Sequence, residues 1–280
     1  SQQIARTGAS TFSELLERAT SVRVLVQPGN YSRVFLRGFS SGKAIANTIS
    51  DQVLILVDGH RSGTGNIDNL PISIIERVEV LRGPASVLYG GSAVGGVINV
   101  ITRRGKGPLK ANIEAETGSF HRYAGQAGIS GGFAGDRWGM AAAVQTDTAG
   151  DYTTGDGKRY VNSSYHRSGG GATLTWRPSD GTSLSGVFAT HEVYDTGSPG
   201  DIYWPTPSSR TSDSWLYGAM ELDSRLDNGV GVQASVYANQ NLYKDDNREA
   251  FPYTSRYDAR MMGARTVVGL PLPEVRSFDL

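Results

Sequence analysis

The stretch that decides the fold of this chain reads VFLRGF at Val34–Phe39, VLILVDGHR at Val53–Arg61 and IIERVEVLRGPASVLYGGSAVGGVINVITRR at Ile74–Arg104. Each piece joins a short run of β-branched residues to a turn that contains glycine, and arginines and glutamates recur where the runs end. β-Branched residues favour strands, and glycine adopts the backbone angles that tight turns need. The stretch therefore predicts several short strands connected by tight turns.

The composition of the 280 residues excludes several classes of protein. The chain has 27 basic and 27 acidic residues, and this balance argues against a protein that binds nucleic acid by neutralising phosphates. It has no cysteine, so disulfides, thiolate metal sites and cysteine nucleophiles are excluded. No apolar run reaches the roughly 18 residues of a membrane-spanning helix. The sequence shows no secretory signal, and Ser1 is expected to be an interior position of a longer protein.

The first part of the chain, residues 1–107, mixes helix and strand signals. Thr11 and Glu14 form a capping box, T-x-x-E, and the apolar residues that follow predict a short amphipathic helix. Pro71 and Pro84 each suit the first turn of a short helical segment. Five short runs rich in β-branched residues predict strands: Val22–Val26, Val34–Leu36, Val53–Val57, Val78–Leu81 and Val97–Ile101. We predict a small α+β domain with its own core.

The second part, residues 108–280, consists of longer strands that alternate apolar and polar residues. Along 230–238, for example, valines and alanines occupy one face, whereas Gln233, Ser235 and Tyr237 occupy the other. Eight such strands can be counted along this part of the sequence. Both a soluble, half-buried sheet and a transmembrane barrel produce this alternation, so the pattern alone does not choose between them.

The joints between these strands favour the barrel. The joints after strands two, four, six and eight are short, whereas long joints are predicted at 147–164, 194–212 and 243–255. Outer-membrane barrels have short periplasmic turns and long outer loops, which gives the same asymmetry. The first joint, at 117–122, is a short one on the outer side and is the exception.

The stretch quoted first resembles the plug domain of TonB-dependent outer-membrane receptors, followed by the start of their barrel. The matching motifs are RGF (Arg37–Phe39), LVDG (Leu56–Gly59), IERVEVLRGP (Ile75–Pro84), LYGGSAVGGVINVIT (Leu88–Thr102) and the basic exit Arg103–Arg104. The resemblance implies a mainly β fold. A small α+β plug domain, residues 1–107, is followed by antiparallel strands of a transmembrane β-barrel, residues 108–280.

In that family the plug is enclosed by a barrel of roughly 22 strands. Barrel diameter grows with strand number, so the eight strands counted here are too few to surround a plug. We therefore expect the sequence to be a fragment of a longer receptor. A ninth strand is expected to begin near Val275, and the family's TonB box is expected to lie before Ser1.

The resemblance also implies a function, which is active transport of a scarce nutrient across the bacterial outer membrane. The family's ligands are chiefly ferric siderophores, with haem and cobalamin as others. The implied partners are TonB with ExbB and ExbD at the periplasmic side, outer-membrane lipid and the small-molecule ligand, and no nucleic acid. Neither an intrinsic cofactor nor enzyme activity is expected. Two alternatives are an outer-membrane surface receptor with a sealed pore, and a soluble all-β lectin or hydrolase.

Two arginines are the first candidates for a functional role. By resemblance, Arg37 and Arg82 are expected to pair with barrel glutamates or to line the ligand face of the plug. Charge-assisted pairs in a solvated interface can seat a domain and still release it. The alternative is that these arginines pair inside the plug with Glu76 or Glu79, and Arg77 is a further candidate for such internal pairs.

A second group of candidates lies at the expected apex of the plug, near the ligand. These residues are Arg61, Ser62, Asn66 and Tyr89, which we expect to contact the substrate. The alternative for this region is a tight turn built around its glycines, with a structural role alone.

Other kinds of chemistry find little support in the sequence. The glycine pairs at 90–91 and 95–96 have neither a GK[ST] ending nor a GxGxxG spacing, so they indicate tight turns rather than a phosphate site. The four histidines, at 60, 121, 166 and 191, are not spaced as metal ligands, although one haem-iron ligand remains an alternative. No metal site and no catalytic residues are predicted.

Overall fold

The structure of the chain is a computed structural model that describes residues 11–20, 22–27, 31–41, 52–66, 68, 70–83, 93–200 and 204–271. Several sequence predictions fall outside the described residues. They concern Pro84, Tyr89, the glycine pair at 90–91 and the strand expected near Val275.

The helix near the start of the chain forms where the capping box predicted it. Helix α1 (Phe12–Ala19) begins after Thr11, whose hydroxyl accepts a hydrogen bond from the backbone N–H of Glu14 at 3.2 Å. Its apolar face buries Phe12, Leu15 and Leu16 in the main core. Among the described residues, no helix is long and apolar enough to cross a membrane.

Two small sheets follow α1. The part of residues 1–107 that the structure describes is called the plug from here on. The first sheet is antiparallel and contains β1 (Arg23–Gln27), β2 (Tyr31–Leu36) and β3 (Phe39–Ser40). The second has the order β5-β4-β7-β6 and contains β4 (Val53–Val57), β5 (His60–Arg61), β6 (Ile75–Arg82) and β7 (Gly96–Thr102). β4 runs parallel to β7, and all its side chains are buried, as its unbroken VLILV run indicates. The five predicted strands are confirmed.

Two sequence motifs of the plug form tight hairpin turns. Arg37 and Gly38 connect β2 to β3 with φ values of 53° and 83°, and Asp58 and Gly59 connect β4 to β5 with φ values of 50° and 82°. Positive φ at both central residues defines the type I′ turn, for which Asp-Gly is a preferred pair. The amide oxygen of Asn99 accepts the N–H of Gly59 at 2.9 Å and ties the second turn to β7.

Eight antiparallel strands form the second part of the chain, in sequence order across one sheet. They are β8 (Lys110–Gly118), β9 (Arg122–Phe133), β10 (Trp138–Ala149), β11 (Tyr165–Ser179), β12 (Thr182–Gly197), β13 (Arg210–Arg225), β14 (Gly231–Asn247) and β15 (Tyr253–Gly269). This sheet is called the wall below. It confirms the predicted fold class and the predicted number of strands.

The joints of the wall follow the predicted asymmetry with one difference. The joints at 134–137, 180–181 and 226–230 are short, and those at 150–164 and 198–209 are long. The joint predicted at 243–255 is only 248–252, because β14 and β15 stay paired through Asp245 and Ser255. Polar residues in this segment suggested a loop, but a strand that extends beyond the apolar band can carry polar residues on both faces.

The wall has two faces of different character. The face that contacts the plug, called the inner face, buries small residues such as Ala143, Val187 and Ala189. The outer face exposes large apolar side chains, including Leu174, Phe188 and Met220. Near the short joints, Phe133, Trp138 and Trp176 stack in a row with ring centroids about 6 Å apart. An apolar band flanked by aromatic residues is typical of a lipid-facing barrel surface.

Candidate functional site: the contact between plug and wall

Three side chains of the wall donate hydrogen bonds to backbone carbonyls in and just after the β4–β5 hairpin. Trp215 Nε1 donates to the carbonyl of Ser62 at 2.7 Å, and the Tyr217 hydroxyl donates to that of Val57 at 3.1 Å. Asn239 Nδ2 donates to the carbonyl of Arg61 at 2.9 Å. These contacts hold the hairpin by its backbone.

Alternation along the wall strands brings these donors to one place. Trp215 and Tyr217 are two residues apart on β13, so both point to the inner face, where their rings stack at 5.7 Å. Both are almost completely buried, at 1% and 0% exposure. Gly63 follows the hairpin with φ at +73°, and a Cβ there would lie 2.0 Å from the Asn239 side chain. Glycine at this position therefore leaves room for the Asn239 side chain against the backbone of the plug.

A charged cluster joins the same hairpin to the end of the plug and to the wall. Arg104 Nη2 lies 2.5 Å from Glu221 Oε2 on β13 and 3.4 Å from Asp58 Oδ1 in the turn. His60 Nε2 lies 3.3 Å from the other carboxylate oxygen of Glu221, and its ring stacks on Tyr237 at 4.9 Å. Arg104 thus shares its charge between one carboxylate of the plug and one of the wall.

Asp58 is the most buried member of this charged cluster, and its side chain is 3% exposed. Burial raises its pKa above the ordinary value, and the charge of Arg104 opposes that rise. Thr102 donates to both carboxylate oxygens, from its backbone N–H at 2.9 Å and from its hydroxyl at 2.7 Å. Arg104 is consequently the cation that lies beside the buried carboxylate of Asp58.

A second charged cluster joins α1 and β2 to β9–β11 of the wall. The carboxylate of Asp68 accepts hydrogen bonds from the backbone N–H of Ser13 at 2.8 Å and from the hydroxyls of Ser13 and Ser32. Arg167 on β11 lies 3.8 Å from Asp68 and 2.8 Å from Asp147. This arginine therefore links a carboxylate of the plug to a carboxylate of the wall.

The second cluster continues along the wall. Arg122 on β9 donates to both oxygens of Asp147, at 3.1 and 3.2 Å, and lies 2.7 Å from Glu116 on β8. A bidentate pair of this kind fixes the direction of the carboxylate as well as its charge. Asp147 is thereby held in place for its contact with Arg167.

The short helical turn predicted at Pro71 packs into small residues of the wall. It is a 3-10 turn over Ile72–Ile74. A Cβ at Gly128 would lie 2.9 Å from Ser73 Cβ, and one at Gly171 would lie 2.5 Å from Ile74 Cδ1. Glycine at these two wall positions leaves the space that the turn fills.

The predicted site residues Arg37 and Arg82 lie elsewhere. Arg37 is in the β2–β3 turn, Arg82 ends β6, and both side chains are exposed. Neither forms an ion pair with another described residue. Arg37 Nη1 lies 3.9 Å from the position that a Cβ of Gly83 would take. Because Gly83 directly follows Arg82, the two arginines lie at the same edge of the plug. Their contact with barrel glutamates or with the ligand stays a prediction.

The three predicted charge partners inside the plug do lie together. Arg77 lies 2.9 Å from Glu79 and 3.5 Å from Glu76 on the exposed side of β6. Exposed pairs of this kind contribute up to about 1 kcal/mol. Asn99 on β7 also donates to Glu79, at 3.1 Å.

Of the four apex candidates, the structure describes three. Ser62 and Asn66 are buried, and both bond inside the plug. Ser62 Oγ donates to the carbonyl of Thr64 at 2.9 Å, and Asn66 Oδ1 accepts the backbone N–H of Ser32 at 3.3 Å. The backbone of Arg61 contacts the wall through Asn239, as described above. Tyr89 is outside the described residues, and contact of these four residues with substrate stays a prediction.

Replacing Trp215 with phenylalanine should weaken the contact between the β4–β5 hairpin and the wall. The ring volume is largely kept, but the buried carbonyl of Ser62 loses its donor, which costs about 1–3 kcal/mol. Trp176→Phe on the exposed outer face is the matched control and should change stability by less than about 1 kcal/mol. Urea-induced unfolding of both variants measures this, and equal midpoints would contradict the role of Trp215.

Comparisons with known proteins agree with this architecture. Residues 1–97 match a family model described as the TonB-dependent Receptor Plug Domain. The vitamin B12 transporter BtuB of Vibrio cholerae is 34% identical over 152 residues, which cover 52% of this chain and 24% of that protein. This chain therefore spans about a quarter of the length of the curated relatives that it matches.

Two solved structures share the fold at low sequence identity. The copper transporter OprC has a TM-score of 0.73 at 18% identity, and the match covers 93% of this chain and 41% of that one. The siderophore receptor PiuA from Acinetobacter baumannii has a TM-score of 0.66 at 17% identity, and the match covers 96% of this chain and 41% of that one.

Proposed function

We propose that this chain, a TonB-dependent receptor plug domain with the first strands of a receptor barrel, belongs to a transporter that carries a scarce nutrient across the bacterial outer membrane. The observation that carries the proposal is the contact between plug and wall. It combines hydrogen bonds and ion pairs with a turn that fits beside glycines and with a buried apolar cluster, to which the wall contributes mainly small side chains. Residues 1–107 act as the plug, and residues 108–280 belong to the barrel.

The polarity of this contact suits a plug that must move. A hydrogen bond contributes only about 1 kcal/mol net, because water replaces it when the partners separate. Water can therefore replace the polar contacts between plug and wall one at a time, namely those of Trp215, Tyr217, Asn239, Arg104 and Arg167. A contact of the same size built from large apolar side chains would lose burial with no replacement.

External work is needed to shift the plug from this position. We propose that TonB, with ExbB and ExbD, supplies it from the periplasmic side. A ligand alone shifts an equilibrium only by the difference of its affinities for the two states. Arg37 and Arg82 are proposed to seat the plug against parts of the barrel outside the described residues, or to face the ligand.

The transported ligand is proposed to be a metal chelate, a ferric siderophore in the first place, with haem and cobalamin as the other candidates. The relative named as a vitamin B12 transporter supports cobalamin, and the siderophore receptor PiuA shares the fold. Residues Arg61, Ser62, Asn66 and Tyr89 are proposed to lie on the ligand side of the plug. We propose no intrinsic cofactor and no covalent chemistry, and the relatives are named as transporters or receptors.

Uptake assays test the proposal directly. Cells that express the intact receptor are given radiolabelled cyanocobalamin or ferric enterobactin, with and without TonB. Uptake of one of the two should require the receptor and should stop when TonB is deleted. Binding without any TonB-dependent uptake would instead identify a surface receptor with a sealed pore.

A disulfide between the plug and the wall should block uptake without blocking binding. Ser73→Cys and Gly128→Cys suit this purpose, since their Cβ atoms would lie 2.9 Å apart and a shift of under about 1 Å gives disulfide geometry. The chain has no other cysteine. We expect oxidised cells to lose uptake and a reducing agent to restore it.

The control for this experiment keeps the cysteine at 128 but ties it to the wall itself. Ala143 is directly opposite Gly128 on β10, so Ala143→Cys with Gly128→Cys links two strands that are already paired. Because Gly128→Cys by itself crowds the turn, the readout for this pair is the ratio of uptake under oxidising and reducing conditions, which should not change. Full uptake with the plug cross-linked would rule out movement of the plug at this contact.

A further inference from the structure

Two like charges lie directly opposite each other on the outer face of the wall. Lys244 on β14 is in register with Arg256 on β15, and both side chains are exposed. Each lies an even number of residues from a side chain exposed on the outer face, Val236 on β14 and Met262 on β15. Like charges directly opposite each other on neighbouring strands are destabilising. Lys244 and Arg256, called the basic pair below, therefore call for an explanation.

The carboxylates nearest to the basic pair already have arginine partners. On the same face, Asp246 accepts two hydrogen bonds from Arg248, at 3.0 and 2.8 Å. Asp258 likewise accepts two from Arg260, at 3.2 and 2.8 Å. Within the described part of the chain, neither member of the basic pair lies within ion-pair distance of a carboxylate. The basic pair therefore leaves an excess of positive charge on the outer face of β14 and β15.

The basic pair lies just beyond the apolar band of the wall. On β14 the outer-face positions from Val232 to Leu242 carry apolar residues, with Gln240 as the exception. At a strand tilt of about 40°, this length of strand rises by about 25 Å along the membrane normal, which is the height of a barrel's apolar band. Lys244 is the next outer-face position, on the side of the long joints. The basic pair thus lies at the level of the lipid headgroups in the outer leaflet.

A shallow apolar groove of about 750 Å³ lies deeper in the same face. Small residues such as Gly186 and Gly218 leave space there between the exposed side chains of Leu174 and Phe188. The groove reaches Ala238 on β14, six residues before the basic pair. This separation is about 15 Å along the membrane normal, which is half the thickness of the hydrocarbon core. An acyl chain whose headgroup lies at the basic pair therefore reaches the groove.

We propose that the basic pair binds a phosphate group of a lipid in the outer leaflet, and that an acyl chain of the same lipid lies in the groove. A phosphate between the ammonium of Lys244 and the guanidinium of Arg256 offsets their repulsion and accepts charge-assisted hydrogen bonds from both. A phosphate ion from solution could neutralise the charges, but it would leave the groove uncovered. The proposal rests on the position of the wall in the outer membrane and does not depend on transport.

Lipid binding to the intact receptor tests the site. The receptor is purified in a non-ionic detergent, freed of bound lipid and titrated with diphosphoryl lipid A, and binding is followed by native mass spectrometry. We expect the same lipid without its phosphates to bind at least about tenfold more weakly. Inorganic phosphate at the same concentrations should neither bind nor displace the lipid, because it makes no contact with the groove.

Replacing the basic pair should remove the preference for phosphate. Lys244→Gln combined with Arg256→Gln should weaken binding of diphosphoryl lipid A at least about tenfold and bring it to the level of the dephosphorylated lipid. The matched control is Lys110→Gln with Arg225→Gln, which removes the same charge at exposed positions near the short joints and should bind as the wild type does. Without lipid, the Tm of the first double variant should equal or exceed that of the wild type, because the repulsion is gone.

A third variant tests the groove separately from the charges. A Cβ at Gly218 meets only a backbone oxygen at 3.9 Å, so Gly218→Leu should fill the groove and leave the fold intact. It should weaken both the phosphorylated and the dephosphorylated lipid by the same factor. Equal binding of diphosphoryl lipid A by the wild type and by the variant without the basic pair would overturn the proposal. Displacement of the lipid by inorganic phosphate, or absence of binding by the wild type, would overturn it as well.

Discussion

Replacing Arg104 with alanine should release the β4–β5 hairpin from the wall. The substitution leaves the carboxylates of Asp58 and Glu221 without their shared cation. Removing one partner of a buried ion pair typically lowers the free energy of unfolding by about 3–5 kcal/mol. We expect a loss of about 3 kcal/mol, at the low end of this range, because the side chains of Arg104 and Glu221 are each still 23% exposed. Hydrogen exchange of the β4 amides measures this cost. Opening of the hairpin should become about 100-fold more frequent.

Two further variants isolate the cause. Arg77→Ala removes an arginine of the plug that pairs only with exposed glutamates, and it should change stability by less than about 1 kcal/mol. Glu221→Gln combined with Arg104→Ala should recover part of the loss, because one of the two stranded charges is then removed. If the β4 amides are equally protected from hydrogen exchange in Arg104→Ala and Arg77→Ala, the charged cluster does not hold the hairpin against the wall.

Local sequence predicted the parts of the fold that neighbouring residues determine. The VLILV run became β4, the Asp58–Gly59 pair became a hairpin turn, and Thr11 capped α1. Each of these depends on residues within a few positions of one another. The eight strands of the wall were likewise predictable, because alternation along a strand is a local property.

The contacts of the site depend on residues far apart in the sequence. Arg104 and Glu221 are separated by 117 positions, and Ser62 and Trp215 by 153. Which residues of two strands become neighbours is set by the register of the sheet, which a single sequence does not reveal. The resemblance directed attention to Arg37 and Arg82, whereas the described plug–wall contacts involve Arg104 and side chains of β8–β14.

One signal in the sequence did point towards the site. Glu221 lies on the same face of β13 as Trp215, Tyr217 and Ala219, so alternation places a charged side chain among buried ones. Such residues on the inner face of a wall have to be paired or to bind something. Alternation alone assigns them to a face, but it does not say which plug residue or ion they meet.

Replacing Gly139 with valine should prevent the plug and the wall from assembling. Gly139 lies on β10, where a Cβ would be 2.1 Å from the carbonyl oxygen of Gly105 and 2.2 Å from that of Arg104. Both obstacles are backbone atoms, and Arg177 on β11 holds them with hydrogen bonds of 3.0 and 3.2 Å. β10 is paired on both sides, opposite Gly132 and Thr175, so the strand cannot move aside.

The segment around Arg104 would have to move instead, and this would pull the guanidinium away from Glu221. We therefore expect Gly139→Val to cost at least about 4 kcal/mol, a value reached only when a packed contact is broken. Gly186→Val is the matched control, since a Cβ at this outer-face position of β12 meets nothing within 4 Å. It should change stability by less than about 0.5 kcal/mol. Limited proteolysis of the purified variants distinguishes the two, because only Gly139→Val should leave the plug open to cleavage. Equal resistance to cleavage in both variants would mean that the segment of Arg104 and Gly105 does not pack against β10.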